Sequence, residues 1–251
     1  MIKMTDSADE LRSVIDVKPD VYGEKIRAFA EGYGFGYYFC RFWVQDGAAA
    51  VCAYYSEAVV YAAAFLTDEQ AEELAAFLTG TGLHRILMPY ELCERLKLTG
   101  RADKLDLMRW GNGIKNAVET DKESVKTDVS LVKIYEIAGS GFDIDFDKWY
   151  TDTSYMLRHG IAGVYMLQNS ACAIKMYASE GIAYLSYVCT LPKMRGKGLS
   201  SRLLRYICAE EAQKGNTAYI ICGDGLTGFY ENTGFVHCGY AAQLDLNGEQ
   251  E

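Results

Sequence analysis

A stretch of 21 residues occurs twice in the chain, 123 residues apart, and this repeat limits the fold more than any other feature. Residues 45–65 (QDGAAAVCAYYSEAVVYAAAF) align without a gap with residues 168–188 (QNSACAIKMYASEGIAYLSYV), and 7 of the 21 positions are identical. Unrelated stretches of ordinary composition share about one or two. Two β-meanders of similar composition are the alternative, but the shared Tyr-x-Ser-Glu core does not depend on their alanines. We interpret the repeat as an internal duplication.

The order of predicted elements agrees with a duplication. In the second half the patterns predict strands at 129–137, 162–169, 171–178, 182–190, 217–223 and 235–246, and helices at 146–160, 199–215 and 226–234. The first half ends in a similar way, with a strand at 85–88, a helix at 91–96 and a strand at 104–110. We therefore predict two domains, residues 1–123 and 124–251, each a mixed α/β unit.

Charge and hydropathy exclude several classes of partner. The net charge is −9, and both halves of the chain are acidic, which disfavours nucleic acid and anionic membrane surfaces. No apolar run approaches the ~20 residues of a membrane helix, and the N-terminus lacks a signal-peptide core. Eight cysteines occur without a C-x-x-C pair, which gives no support for a metal site. We expect a cytoplasmic protein with reduced cysteines.

A cationic, glycine-containing loop, LPKMRGKGLSSRLL at 191–204, precedes the predicted helix at 199–215. Unpaired amides and the dipole at a helix N-terminus favour an anion, and glycines let it approach the backbone. The loop does not fit a Walker A motif, because Leu191 replaces the first glycine and Gly198 follows Lys197. It does not fit a dinucleotide fingerprint either, since position 201 is serine. Two interpretations of the loop stay open, a phosphate-binding loop and a solvated basic turn.

The duplication changes at this loop. At the 123-residue offset, PKMRGKG at 192–198 lies opposite EQAEELA at 69–75, so glutamates occupy the first copy where the second has glycines and cations. Carboxylates repel a phosphate. We expect only the second copy to bind the anion.

The loop and a later segment resemble the GNAT superfamily of acyl-CoA N-acyltransferases. Arg195, Gly198 and Ser200 match the family's R-x-x-G-x-[GA] motif, with serine in place of glycine or alanine, and GFYENTGF at 228–235 is similar to a second family signature. The resemblance covers about 128–246. It implies tandem GNAT-like domains with mostly antiparallel central sheets flanked by helices, of which the N-terminal one is degenerate.

The resemblance also implies a site for acetyl-CoA. Its diphosphate would be held by the loop and helix residues Arg195, Gly196, Lys197, Gly198, Leu199, Ser200 and Ser201. Its pantetheine arm would pair with the end of the fourth strand at Val188, Cys189 and Thr190, in a gap between the fourth and fifth strands. Tyr230 matches the family's general acid. The position of a frequent glutamate base is Tyr184 here, so the base stays open.

Three functions are compatible with these residues. The first is an N-acetyltransferase acting directly on a primary amine of a small molecule or peptide, bound near 144–160 and the facing surface of the first half. The second is a non-catalytic acyl-CoA sensor, and the third is a tandem transferase that uses another donor such as aminoacyl-tRNA. The acidic charge disfavours tRNA. A homodimer is also compatible with the sequence, and the acyl length and the acceptor stay open.

Overall fold

The chain folds into two compact units, as a computed structural model shows. The model describes residues 1–63, 66–111 and 124–247. Unit 1 comprises Met1–Asp106 and Gly239–Glu251, and unit 2 comprises Leu107–Cys238. The domain boundary predicted at 123/124 lies next to 112–123, which are outside the described residues, and it stays a prediction.

Unit 1 is a mixed sheet with helices. Its elements are β1 (Ile2–Thr5), α1 (Ala8–Ile15), α2 (Val21–Tyr33), β2 (Cys40–Gln45), β3 (Ala49–Tyr54), β4 (Glu57–Ala62), α3 (Asp68–Gly80), β5 (Arg85–Pro89), α4 (Tyr90–Leu96) and the start of β6 (Arg101–Trp110). Strands β1 to β4 form an antiparallel meander, and β4 pairs in parallel with β5. The core on one face forms around α3, whose Leu74 and Leu78 are fully buried.

Unit 2 repeats this plan. Its elements are the end of β6, β7 (Val125–Lys126), α5 (Leu131–Ala138), α6 (Phe146–Arg158), β8 (Gly163–Leu167), β9 (Ala171–Ser179), β10 (Ile182–Thr190), α7 (Leu199–Gln213), β11 (Thr217–Cys222), α8 (Thr227–Thr233) and the start of β12 (Phe235–Asp245). The strand order is β12-β6-β11-β10-β9-β8-β7. One core joins the sheet to α7, and a second joins it to α5 and α6.

The final strand completes the sheet of unit 1. Residues Ala241–Asp245 of β12 pair antiparallel with Arg85–Pro89 of β5, so the C-terminal end of the chain supplies the edge next to β5. The sheet order in unit 1 is therefore β1-β2-β3-β4-β5-β12. The predicted fold class, a mixed and mostly antiparallel α/β sheet flanked by helices, is confirmed.

One predicted element is wrong. Residues 129–137 were expected to form a strand, but Leu131–Ala138 form helix α5. Ile134, Ile137 and Ala138 are buried at helical spacing, and a run of β-branched residues conceals this period in the sequence. Each of the other predicted strands and helices named above is found, with ends that differ by a few residues.

None of the helices in the described part of the chain combines the length and the hydropathy that a membrane crossing requires.

Candidate functional site

Strands β10 and β11 of unit 2 diverge and open a cleft. They pair in parallel over only three residues, from Ile182 and Thr217 to Tyr184 and Tyr219. Within the described residues no further pair joins the two strands, although β10 continues to Thr190. A gap between neighbouring strands leaves main-chain groups of β10 available to an extended ligand.

A β-bulge lies on β10 beside this cleft. Ser186 pairs with Ile174 and Cys189 with Cys172, so Tyr187 and Val188 together face one residue of β9. Tyr187 has φ of 51°, in the left-handed region that L-residues rarely adopt. Bulges leave one residue outside the ladder and redirect its main-chain groups. The bulge therefore presents main-chain groups where the cleft opens.

The start of helix α7 carries six main-chain amides without an acceptor. The amides of Gly196 to Ser201 donate no hydrogen bond to any described residue, and the first helical bond runs from Arg202 N to Gly198 O at 3.0 Å. Gly196 and Gly198 have φ of 77° and 70°, which turns the loop so that successive amides point outward. No side chain caps α7. The arrangement suits an anion.

Side chains hold this loop in place. The hydroxyls of Thr190 and Ser200 are 2.5 Å apart, and those of Ser201 and Thr233 are 3.0 Å apart. Leu199 is buried in the core beneath the helix start. These contacts fix the free amides relative to β10 and α8, so the site needs little rearrangement to bind an anion.

Two of the loop cations, Arg195 and Lys197, have different environments. Arg195 donates from Nε to the carbonyl of Thr190 at 3.1 Å and from a terminal nitrogen to that of Ser140 at 3.4 Å. Its charge lies near the amides, but its side chain binds the protein backbone. Lys197 is exposed, with Nζ 3.4 Å from Sδ of Met194. Of these two, Lys197 is the cation that is free to reach a ligand.

Cys189 is packed against a segment that sequence reasoning missed. It is buried, and its Sγ lies 3.4 Å from Oγ of Ser140. A Cβ on Gly141 would lie 2.9 Å from the same sulfur, so this position needs glycine. The glycine-rich run AGSG at 138–141 was the available signal, but the wrong strand prediction at 129–137 concealed it.

Tyr230 of α8 is placed with its ring in the core. The side chain is 5% exposed and contacts Phe229 and Phe235. Its hydroxyl makes no hydrogen bond with any residue that the structure describes. Burial, followed by the neighbouring Cys222 and Tyr184, raises its pKa well above that of an ordinary tyrosine. The phenol therefore keeps its proton at neutral pH.

Comparison with known proteins assigns this region to a family. Residues 154–237 match the family model described as the acetyltransferase (GNAT) domain. Unit 2 contains a GNAT domain. The matched range includes the cleft, the bulge, the amides at the start of α7 and Tyr230. No curated protein matches the chain.

Solved structures with the same fold extend over nearly the whole chain. They include a GCN5-related N-acetyltransferase from Kribbella flavida (16% identity, 92% of this chain and 97% of that chain, TM-score 0.63) and one from Sphaerobacter thermophilus (13%, 100% and 97%, 0.60). A GNAT-family acetyltransferase from Colwellia psychrerythraea is also similar (11%, 98% and 99%, 0.58). At these identities the comparison shows the fold of both units, and it shows no substrate.

In the GNAT domain, Tyr184 occupies the position where the family resemblance implies a glutamate base. Its ring stacks on Tyr177 with centroids 5.4 Å apart. Burial, followed by the nearby Tyr187 and Cys222, raises its pKa. A phenol with a raised pKa keeps its proton at neutral pH and cannot accept another. Tyr184 therefore does not replace the carboxylate as a base.

Unit 1 differs from the GNAT domain at the helix start and at the bulge, although β4 and β5 also pair in parallel over only three residues. The start of α3 is capped by Thr67 and Gln70, which accept each other's amides at 3.2 and 2.9 Å, and Asp68 and Glu69 follow in the first turn. Strands β3 and β4 pair in register without a bulge. Residues 69–75 lie inside α3 whereas 192–198 precede α7, so the two segments are not equivalent in the fold.

Proposed function

We propose that the GNAT domain transfers an acetyl group from acetyl-CoA to a primary amine of a small molecule or peptide. The observation that carries the proposal is the row of six unbonded amides from Gly196 to Ser201 beside an open cleft. Six directed donors at the positive end of a helix match the charge of the diphosphate of coenzyme A. Lys197 supplies a further cation.

The bulged end of β10 supports the same donor. The pantetheine arm contains two amides in an extended chain, and it would pair with main-chain groups at Val188, Cys189 and Thr190 as an additional strand does. The thioester then lies in the gap beyond Tyr184, where the strands have separated. The diphosphate at α7 and the pantetheine at β10 together fix the reacting carbon, which lowers the entropy cost of the reaction.

The chemistry is direct acyl transfer. The neutral amine attacks the thioester carbon, a C–N bond forms, and the tetrahedral adduct collapses with loss of the C–S bond. The main-chain amide of Val188, at the bulge, would stabilise the oxyanion. The leaving thiolate takes the proton of Tyr230, and the proton that the nitrogen of the adduct loses reaches the phenolate through water and restores the phenol. The raised pKa of Tyr230 keeps the phenol protonated at neutral pH until the thiolate forms.

Two measurements test the proposal. Calorimetry with acetyl-CoA should give a Kd in the usual range of about 1 μM to 1 mM. An assay of released thiol with a panel of primary amines should show saturable turnover. Binding without turnover on any amine would favour the acyl-CoA sensor, to which the lack of a basic group at Tyr184 points. The absence of acetyl-CoA binding would overturn both functions.

Tyr230→Phe tests the general acid. It keeps the ring packing and removes the hydroxyl, so we expect kcat to fall by about 10²-fold or more while the Kd for acetyl-CoA is unchanged. Tyr61→Phe is the matched control, because Tyr61 is a buried tyrosine of unit 1 whose hydroxyl donates to carbonyls of Ile15 and Lys18. This control should lower stability only. Full turnover by Tyr230→Phe would remove the assignment.

A further inference from the structure

Unit 1 contains a pocket of its own, with a volume of about 150 Å³, between α2 and the sheet. Its floor is formed by neighbouring strands: Val59 lies opposite Leu87 in the β4–β5 register, and Leu87 lies opposite Gln243 in the β5–β12 register. The pair Glu57 and Arg85 forms the adjacent row and also lines the pocket. A cavity of ~150 Å³ is large enough for benzene.

A lysine without a hydrogen-bond partner lines this pocket. Lys25 is half-buried on α2, one turn before Phe29, and both side chains line the pocket. Its ammonium makes no hydrogen bond and no ion pair within 4 Å with any described residue. Burial lowers its pKa, and the charge of Glu57 opposes the shift only in part. The ammonium is only partly removed from water, and a bound anion would supply the acceptor that the described residues do not provide.

The other lining groups indicate the chemistry of that ligand. Lys25 and Arg85 outnumber the single carboxylate of Glu57, so the pocket carries an excess of one positive charge. Gln243 adds an amide that can donate. Phe29 and Leu87 provide apolar surface. A small molecule with one anionic head and an apolar body satisfies all of these groups, and the volume excludes a nucleotide.

We propose that unit 1 binds a small organic carboxylate, with the carboxylate at Lys25 and a hydrocarbon or aromatic body against Phe29 and Leu87. The proposal is independent of acetyl transfer, since every residue that it uses belongs to unit 1. Unit 1, which has no counterpart of the free amides at the start of α7, would then have a ligand of its own.

Ligand-observed NMR on the full chain tests the proposal. The probes are benzoate, its neutral isostere benzamide and the cation benzylamine, each titrated at constant ionic strength. We expect saturable binding with benzoate tightest. Lys25→Met keeps the length of the side chain and removes the charge, so it should weaken benzoate at least tenfold and leave benzamide unchanged. Lys148→Met, the counterpart of Lys25 at the 123-residue offset on α6, is the control and should bind as wild type.

A second variant guards against a folding defect in the first. Arg85 is exposed at the edge of the pocket, so Arg85→Gln should fold and should weaken benzoate about threefold. No saturable binding of benzoate by the wild-type chain would overturn the proposal. So would equal binding of benzoate and benzylamine, or an unchanged benzoate affinity in a folded Lys25→Met protein.

Discussion

Gly198→Asp separates anion binding from folding. Gly198 has φ of 70°, and a Cβ built on it meets no atom within 4 Å, so the new side chain fits without a clash. A side chain at this φ strains the backbone, although aspartate tolerates the left-handed region better than most residues. A negative charge at a helix N-terminus, by contrast, stabilises the fold by about 0.3–1 kcal/mol. These two effects oppose each other. We therefore expect the free energy of unfolding to change by about 1 kcal/mol or less.

The effect on acetyl-CoA binding should be much larger. Two like charges about 4 Å apart near a protein surface repel by about 4 kcal/mol, and the exposed position of the loop reduces this by about half. The new carboxylate also competes for the amides between Gly196 and Ser201. A combined loss of about 2–3 kcal/mol raises the Kd for acetyl-CoA roughly 30- to 150-fold.

The assay is calorimetry at low and high salt, together with thermal unfolding. Gly82→Asp is a matched control, because Gly82 of unit 1 also has φ of 70° and open space around its Cβ position. This control should leave the Kd unchanged. The difference in Kd between Gly198→Asp and wild type should shrink in high salt, since screening weakens the repulsion. A folded Gly198→Asp protein whose Kd lies within threefold of wild type would refute the assignment of the diphosphate to these amides.

Three further predictions concern pH and stability. Because burial raises the pKa of Tyr230, kcat should show no fall due to loss of its proton up to about pH 10, as a pH–rate profile would show. Burial raises the pKa of Asp20, the N-cap of α2, to about 6, so stability should fall as pH rises from 4 to 7. Asp20→Asn should remove that fall and raise the free energy of unfolding by about 2–3 kcal/mol at pH 7.5, as denaturant unfolding would show. Asp145→Asn, at the exposed N-cap of α6, controls for the loss of a carboxylate cap and should leave the free energy of unfolding unchanged. Glu211 is fully buried and accepts a hydrogen bond from Lys175 at 3.0 Å. Glu211→Ala should lower the free energy of unfolding by about 3–5 kcal/mol and leave the Kd for acetyl-CoA unchanged, and a loss below about 1 kcal/mol would contradict this.

The sequence predicted the parts of the site that lie close together along the chain. The loop at 191–204 has a local signature, because glycines and cations before a helix act through the backbone of the same segment. Tyr230 was predicted in the same way, from a short motif. The fold class followed from alternating and helical periods, which depend on neighbouring residues.

The parts that were missed depend on contacts between distant segments. Ser140 and Gly141 meet Cys189 only after α5 packs on the sheet, and no periodicity reveals such a contact. The bulge at Tyr187 arises from a mismatch in register between β9 and β10, and both strands alone look regular. The pocket at Lys25 needs four strands and a helix to form, and one strand contributes Gln243, 218 residues after Lys25. The helix at 131–138 was missed because its β-branched residues favour strands locally. The burial of Ile134, Ile137 and Ala138 on one face stabilises the helix instead.

The closing strand of unit 1 has a consequence for synthesis and for engineering. Residues Ala241–Asp245 are synthesised more than 150 residues after β5, yet they cover the edge of the sheet that β5 forms. Until then β5 exposes unpaired main-chain groups, which can join other nascent chains. A fragment that begins at 124 would carry this strand without its partner. Deletions that remove Ala241–Asp245 should accordingly cause aggregation through the half of the protein that is translated first.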